Sequence, residues 1–203
     1  MAKGSAGRRT DPELSWLRRL AAVTTAAAVT ALWFTLYRNL PTYPPGLGLP
    51  LAAAAILFLS ALALFYQMHG NMWPGIAQFG FIVSAVGLGS WIVGGTLNEL
   101  GLQATDPPSV WWRLALELIA RPQPGWGLFS VGLIPIGLAA FSRKLSLSLQ
   151  LLLPLGGLLV LGPPLKYVLG DRTGGLTVLI AFGVGWLAIA ALLLFEAKRV
   201  RAG

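Results

Sequence analysis

Apolar residues in this chain fall into long runs separated by short polar stretches. Six runs stand out, at residues 16–37, 49–68, 75–97, 125–141, 145–169 and 176–197. Crossing the hydrocarbon core of a bilayer takes about 20 mainly apolar helical residues. Each run meets that length within a few residues. The pattern therefore predicts an all-α, polytopic transmembrane bundle of six spans. The first run is the mildest, because Thr24, Thr25 and Thr30 dilute it; the fourth is the shortest. Arg18 and Arg19 ahead of the first run resemble the start of a signal peptide. That run ends in Trp33, Phe34, Leu36 and Tyr37, which make a poor small-residue cleavage site, so it is read as a retained span.

The single long connection, 98–124, has a pattern of its own. Asp106-Pro107-Pro108 opens a segment that Pro122 and Pro124 close. Inside it, Ser109, Arg113, Glu117 and Arg121 recur every fourth residue and form one polar stripe, with Trp111, Trp112 and leucines filling the rest. This predicts an amphipathic helix over about 107–121 lying in the outer membrane interface. Trp111, Trp112, Arg113, Glu117 and Arg121 form its interaction surface. A connector that caps the bundle is the simplest role for it; a lid or a docking face is the alternative. Residues 1–15 read as a mobile basic tail and 198–203 as a second basic tail, flanking one membrane domain at 16–197.

The placement of charge orients the bundle. With six spans, Lys3, Arg8, Arg9, Arg18, Arg19, Arg143, Lys144, Lys198, Arg199 and Arg201 share one side, ten of the chain's 15 bases. Arg38, Arg113, Arg121, Lys166 and Arg172 lie on the other. The excess of Lys and Arg marks the cytoplasmic side, so both termini are expected there, in the cytoplasmic membrane. Trp16, Tyr37, Tyr43, Trp73, Trp126 and Tyr167 fall near the expected interfaces, as aromatic belts do.

Composition agrees with lipid as the main solvent. The 203 residues are 56% hydrophobic and 11% charged, with mean hydropathy +0.72. Soluble proteins are nearer a quarter charged. The net charge of +8 does not indicate nucleic acid, because the bases sit at span ends and form no patch interleaved with aromatics. The chain has no cysteine, which excludes disulfides, thiolate metal sites and cysteine nucleophiles.

Small residues mark where helices approach closely. Gly80, Ser84, Gly87, Gly89 and Gly94 in the third run, and Ala181 and Gly185 in the sixth, are expected at helix–helix interfaces, since packing in lipid relies on backbone approach. Prolines mark breaks. Counted from residue 145, Pro154 lies about 14 Å into the fifth span, near mid-membrane. With Gly156 and Gly157 it predicts a kink, and a cavity, if present, is expected beside Pro154 and Pro135. Pro163 and Pro164 mark the exit of that span, with Lys166 at the interface.

Candidate chemistry is sparse. Ionisable groups within spans usually mark ion paths or active sites, and these runs hold almost none. No carboxylates are spaced for acid–base work. His69, the only histidine, is a weak haem or pigment ligand candidate, with a solvated loop histidine as the default. No metal site and no cofactor are expected. The sequence thus points to a non-enzymatic membrane protein, an accessory or structural subunit acting through helix packing with a membrane partner or another copy of itself. One rival is a small transporter or channel for a neutral or lipophilic solute, with its path near Pro135 and Pro154. The other is a lipid-modifying enzyme using Glu99, Glu117, Asp171 and Lys166 at the outer rim.

Overall fold

The computed structural model describes residues 11–39, 48–70, 73–99, 122–160, 168 and 171–202. These residues are helical with short turns, and no strand occurs among them. In chain order the helices are α1 (Asp11–Asn39), α2 (Gly48–His69), α3 (Gly75–Glu99), α4 (Pro122–Ser142), α5 (Leu147–Gln150), α6 (Leu152–Val160) and α7 (Asp171–Ala202). Three helical segments are long and apolar enough to cross a membrane: Leu49–His69, Gly75–Gly94 and Thr177–Lys198. Gly127–Ser142 and Leu147–Leu158 are shorter apolar helical stretches. The outer interfacial helix expected over 107–121 lies outside the described residues, as do Trp111, Trp112, Arg113, Glu117 and Arg121.

Local chemistry sets the helix ends. Pro12 occupies the first turn of α1, where a missing N–H breaks no helical bond. Gly70 takes φ +50° after α2, a left-handed conformation that glycine adopts freely. The chain then turns back and Pro74 starts α3, its carbonyl accepting the N–H groups of Ala77 and Gln78 at 2.9 and 3.1 Å. α4 ends in a Schellman motif: Leu145 N–H donates to Ala140 O at 2.9 Å and Lys144 N–H to Phe141 O at 3.0 Å. Lys144 sits at the position that glycine usually fills, with φ +52°.

The helices form a closed ring. Each packs on its chain neighbour, and α7 returns to pack on α1 as well as on α5 and α6. Five aromatic side chains fill the middle: Phe58 and Phe65 from α2, Phe129 from α4, and Phe182 and Trp186 from α7, all fully buried. Trp186 lies parallel to Phe129 at 6.1 Å between centroids and to Phe65 at 6.2 Å, while Phe58 tilts against it at 5.3 Å. Each such pair contributes about 0.5–1.5 kcal/mol beyond the area it buries. Some inward positions are small and some outward ones large. Ala54, Ala55 and Ala61 of α2 are buried, whereas Ile76, Phe79, Ile82 and Val86 of α3 are exposed. That inversion of size suits a bundle whose outer surface meets hydrocarbon.

The fifth apolar run is interrupted only locally at Leu151, between α5 and α6, three residues before Pro154; Leu151 keeps helical dihedrals, and its N–H and C=O still pair with Leu147 and Leu155. Proline at 154 has no N–H to give the Gln150 carbonyl, and its ring crowds that carbonyl. The interruption therefore lies one turn ahead of the proline, which itself occupies the first turn of α6. α4, by contrast, runs through Pro135 without a break.

Candidate functional site

The closest helix contact is between α3 and α4. A methyl group built on Gly80 would lie 2.6 Å from Gly132 O, and one on Gly87 2.5 Å from both Gly125 O and Phe129 N. Ser84 is fully buried between them, and its hydroxyl donates to Phe129 O at 3.0 Å. Gly80, Ser84 and Gly87 thus lie on one face of α3, opposite Gly125 and Gly132 of α4. Gly94 is buried further along α3. Gly89 faces away: a methyl there would meet nothing within 4 Å. On α7, the space at Gly185 is taken by Leu155 of α6 and that at Gly183 by the indole of Trp33, whose Nε1 donates to Leu179 O at 3.3 Å. Ala181 is half-buried.

Pro135 Cγ packs where Gly80 leaves room on α3, whereas Pro154 is exposed on α6. Gly156 fits against Ser130 O and Ile134 of α4, and Gly157 has no neighbour within 4 Å of a built methyl. Gly156 thus lets α6 approach α4.

The most organised polar cluster joins three helices at one end of the bundle. Glu196 of α7 accepts from the Ser148 hydroxyl at 3.0 Å and the Ser148 amide at 3.4 Å, both on α5. Arg18 of α1 approaches the same carboxylate, Nε to Oε2 at 3.9 Å, and donates through Nη1 to Glu196 O at 3.4 Å. Ser15 donates to Ala197 O at 3.1 Å. Ser146 Oγ lies 2.9 Å from Ser148 Oγ. The single hydroxyl proton of Ser148 goes to the carboxylate, so Ser146 is the donor of that pair. The Ser148–Glu196 bond is a hydrogen bond to a charged group, of the class that contributes about 1.5–3 kcal/mol. The ion pair is long, so the serine is the stronger half of the cluster. Together they fasten the first helix and the fifth apolar segment to the last, closing the ring.

His69 and Trp73 belong to the same end. His69 is half-buried, edge-on to the Trp73 ring at 5.4 Å and 84°, and within electrostatic reach of Arg18. Trp73 is 3% exposed, donates Nε1 to Tyr66 O at 3.1 Å and packs on Phe81 at 5.1 Å. The sequence suggested a solvated loop histidine and an aromatic-belt tryptophan here. Instead His69 packs on Trp73, and the indole reaches back to Tyr66 of α2. Trp16, 61% exposed near the start of α1, has the exposure that a belt residue needs. No three His, Asp or Glu side chains gather as a metal centre requires among the described residues. The Glu99 side chain, Glu117 and Lys166 lie outside what is described, as does the side chain of Asp171, so the outer-rim grouping has no geometry here.

Two interior polar atoms stand apart. Thr24, Thr30 and Thr35 each donate to the carbonyl four residues back, at 2.8, 2.9 and 2.7 Å. Thr25 Oγ1, fully buried on the same helix, has no partner, and neither does Trp186 Nε1 in the aromatic cluster.

The Arg18–Glu196–Ser148 cluster was not anticipated from sequence, although it left a signal. Glu196 is the only acid within the last apolar run, and Arg18 is a base at the start of the first. Gly125 and Gly132, seven residues apart, were also readable as one face of α4. In comparison with known proteins, the chain matches no family model, no curated protein and no solved structure.

Proposed function

We propose that this protein is a six-span, non-enzymatic subunit of the cytoplasmic membrane, with both termini in the cytoplasm, that acts by packing its outer helix surfaces against a membrane partner or another copy of itself. Helix length supports the span count beyond the three most apolar helices. At 1.5 Å per residue α1 is about 43 Å long and α4 about 31 Å, each enough to cross the hydrocarbon. The ends of α2, α4 and α7 and the start of α1 converge at the Arg18–Glu196 cluster, where the basic residues also collect. The excess of bases favours the cytoplasmic side for that end.

One observation carries the functional part. The buried ionic groups are engaged with each other in the ring-closing cluster, and the middle of the ring is filled by five aromatic rings. Among the described residues, what is left for interaction is the outer apolar surface. The test is native mass spectrometry of the complex extracted in mild detergent. A stoichiometric partner or a defined homo-oligomer is the expected result; a lone monomer under several mild extractions contradicts it.

A second reading has one observation in its favour. Thr25 Oγ1 and Trp186 Nε1 are interior groups that a neutral solute with an acceptor oxygen would satisfy. On that reading the interior, rather than the Pro135 and Pro154 region, is the path. Solute flux in proteoliposomes separates the two.

A further inference from the structure

We propose that the end of the bundle where α1 begins and α7 ends binds the headgroups of anionic phospholipids, through bases that the fold gathers from two helices and the α4–α5 turn. This rests on the membrane-spanning reading above. Ser15–Ala197 and Ser148–Glu196 hydrogen bonds bring the start of α1, the α4–α5 turn and the end of α7 to one level. Arg19 stands on α1, Lys144 on the turn and Lys198 on α7; the two lysines are exposed and Arg19 is half-buried. Arg143 adjoins Lys144 on the same turn.

Among the described residues the acids at this end offset the bases only in part. Glu196 is held between Arg18 and Ser148, and Glu13 lies a turn and a half before Arg19, beside Trp16 and Leu17. The rim is therefore a field of positive charge around an internally neutralised pair. Lys144 crowns the Schellman turn at φ +52°, at the tip of the α4–α5 hairpin. Trp16, largely exposed near the start of α1, supplies the amphipathic ring that anchors at headgroup depth. A phosphodiester with one net negative charge complements this rim; a zwitterionic headgroup brings its own cation and does not.

The test uses the full chain in nanodiscs of equal phosphatidylglycerol and phosphatidylcholine, with the lipids that stay bound counted by native mass spectrometry. Phosphatidylglycerol is expected to be enriched. Lys144→Gln and Lys198→Gln should each lower its relative binding by about fivefold, the effect of one base near an anionic surface. Enrichment in the wild type should also collapse at about 0.5 M salt, where screening is effective within a few ångströms. That salt result needs no variant, so it stands even where a substitution disturbs folding. Equal retention of the two lipids, enrichment indifferent to salt, or an acidic protein bound in place of lipid overturns the inference. A chain that fails to enter nanodiscs at all overturns the membrane reading beneath it, which is a different result.

Discussion

Two glycines in α3, two residues apart, should respond in opposite ways to the same substitution. Gly87 faces α4; a methyl there lies 2.5 Å from Gly125 O and Phe129 N. That is about 0.9 Å short of ordinary contact, and both obstacles are backbone atoms that no rotamer change can move. Gly87→Ala must therefore push α3 and α4 apart, an overpacking penalty of about 1–3 kcal/mol. Gly89 faces open space, with nothing within 4 Å. Gly89→Ala carries only the gain in helix propensity, about 1 kcal/mol. Both variants share that gain, so the difference between them isolates the steric penalty. For a chain of this size, 1–3 kcal/mol corresponds to about 2–12 °C in midpoint. The assay is thermal unfolding of both detergent-purified variants, followed by fluorescence-detected size exclusion. The α3–α4 seam is refuted by equal midpoints, or by Gly87→Ala melting above Gly89→Ala.

Further outcomes test other parts of the fold. Removing the charge in Glu196→Leu leaves Ser148 without its acceptor and Arg18 without its counter-ion, and should destabilise by about 1–3 kcal/mol; the double variant with Arg18→Met should recover part of that loss in a double-mutant cycle. Thr25→Val removes an unpartnered buried hydroxyl and should raise stability by about 1 kcal/mol, whereas Thr35→Val, which breaks a 2.7 Å bond to Ala31 O, should not. A fall in melting temperature for Thr25→Val indicates a bound molecule at that hydroxyl and favours the solute reading. Lys144→Gly relieves a left-handed residue and should stabilise by about 1 kcal/mol; Lys144→Val should do the reverse, both read as midpoint shifts.

The helices were legible because hydrocarbon imposes a length. Apolar runs at 49–68 and 75–97 correspond to α2 (Gly48–His69) and α3 (Gly75–Glu99) almost to the residue. α1 and α7 extend further than the runs, from Asp11 and to Ala202, because hydropathy marks the lipid boundary and a helix continues past it. The break at Leu151 was displaced from the proline that causes it, since proline acts on the carbonyl one turn earlier. The inward faces were much harder to read. α2 and α7 are apolar all round, so periodicity carries no inside-outside signal. On α3 side-chain size carries part of it: Gly80, Ser84 and Gly87 face a neighbour, while Ile82 and Val86 between them face out; on α2 and α7 the large rings of Phe58, Phe65, Phe182 and Trp186 face in. The link from Arg18 to Glu196 spans nearly the whole chain, and nothing local to either residue announces it.

The absence of cysteine in the sequence makes one topology experiment clean. Single substitutions Ala2→Cys, Lys144→Cys, Gly203→Cys and Thr105→Cys each introduce the only thiol, to be labelled in intact cells with a membrane-impermeant maleimide. With six spans and a cytoplasmic polar end, Thr105→Cys reacts from outside. The other three react only after the membrane is opened. Labelling of Ala2→Cys and Gly203→Cys from opposite faces, or of Lys144→Cys from the same face as Thr105→Cys, contradicts a bundle that threads the bilayer six times.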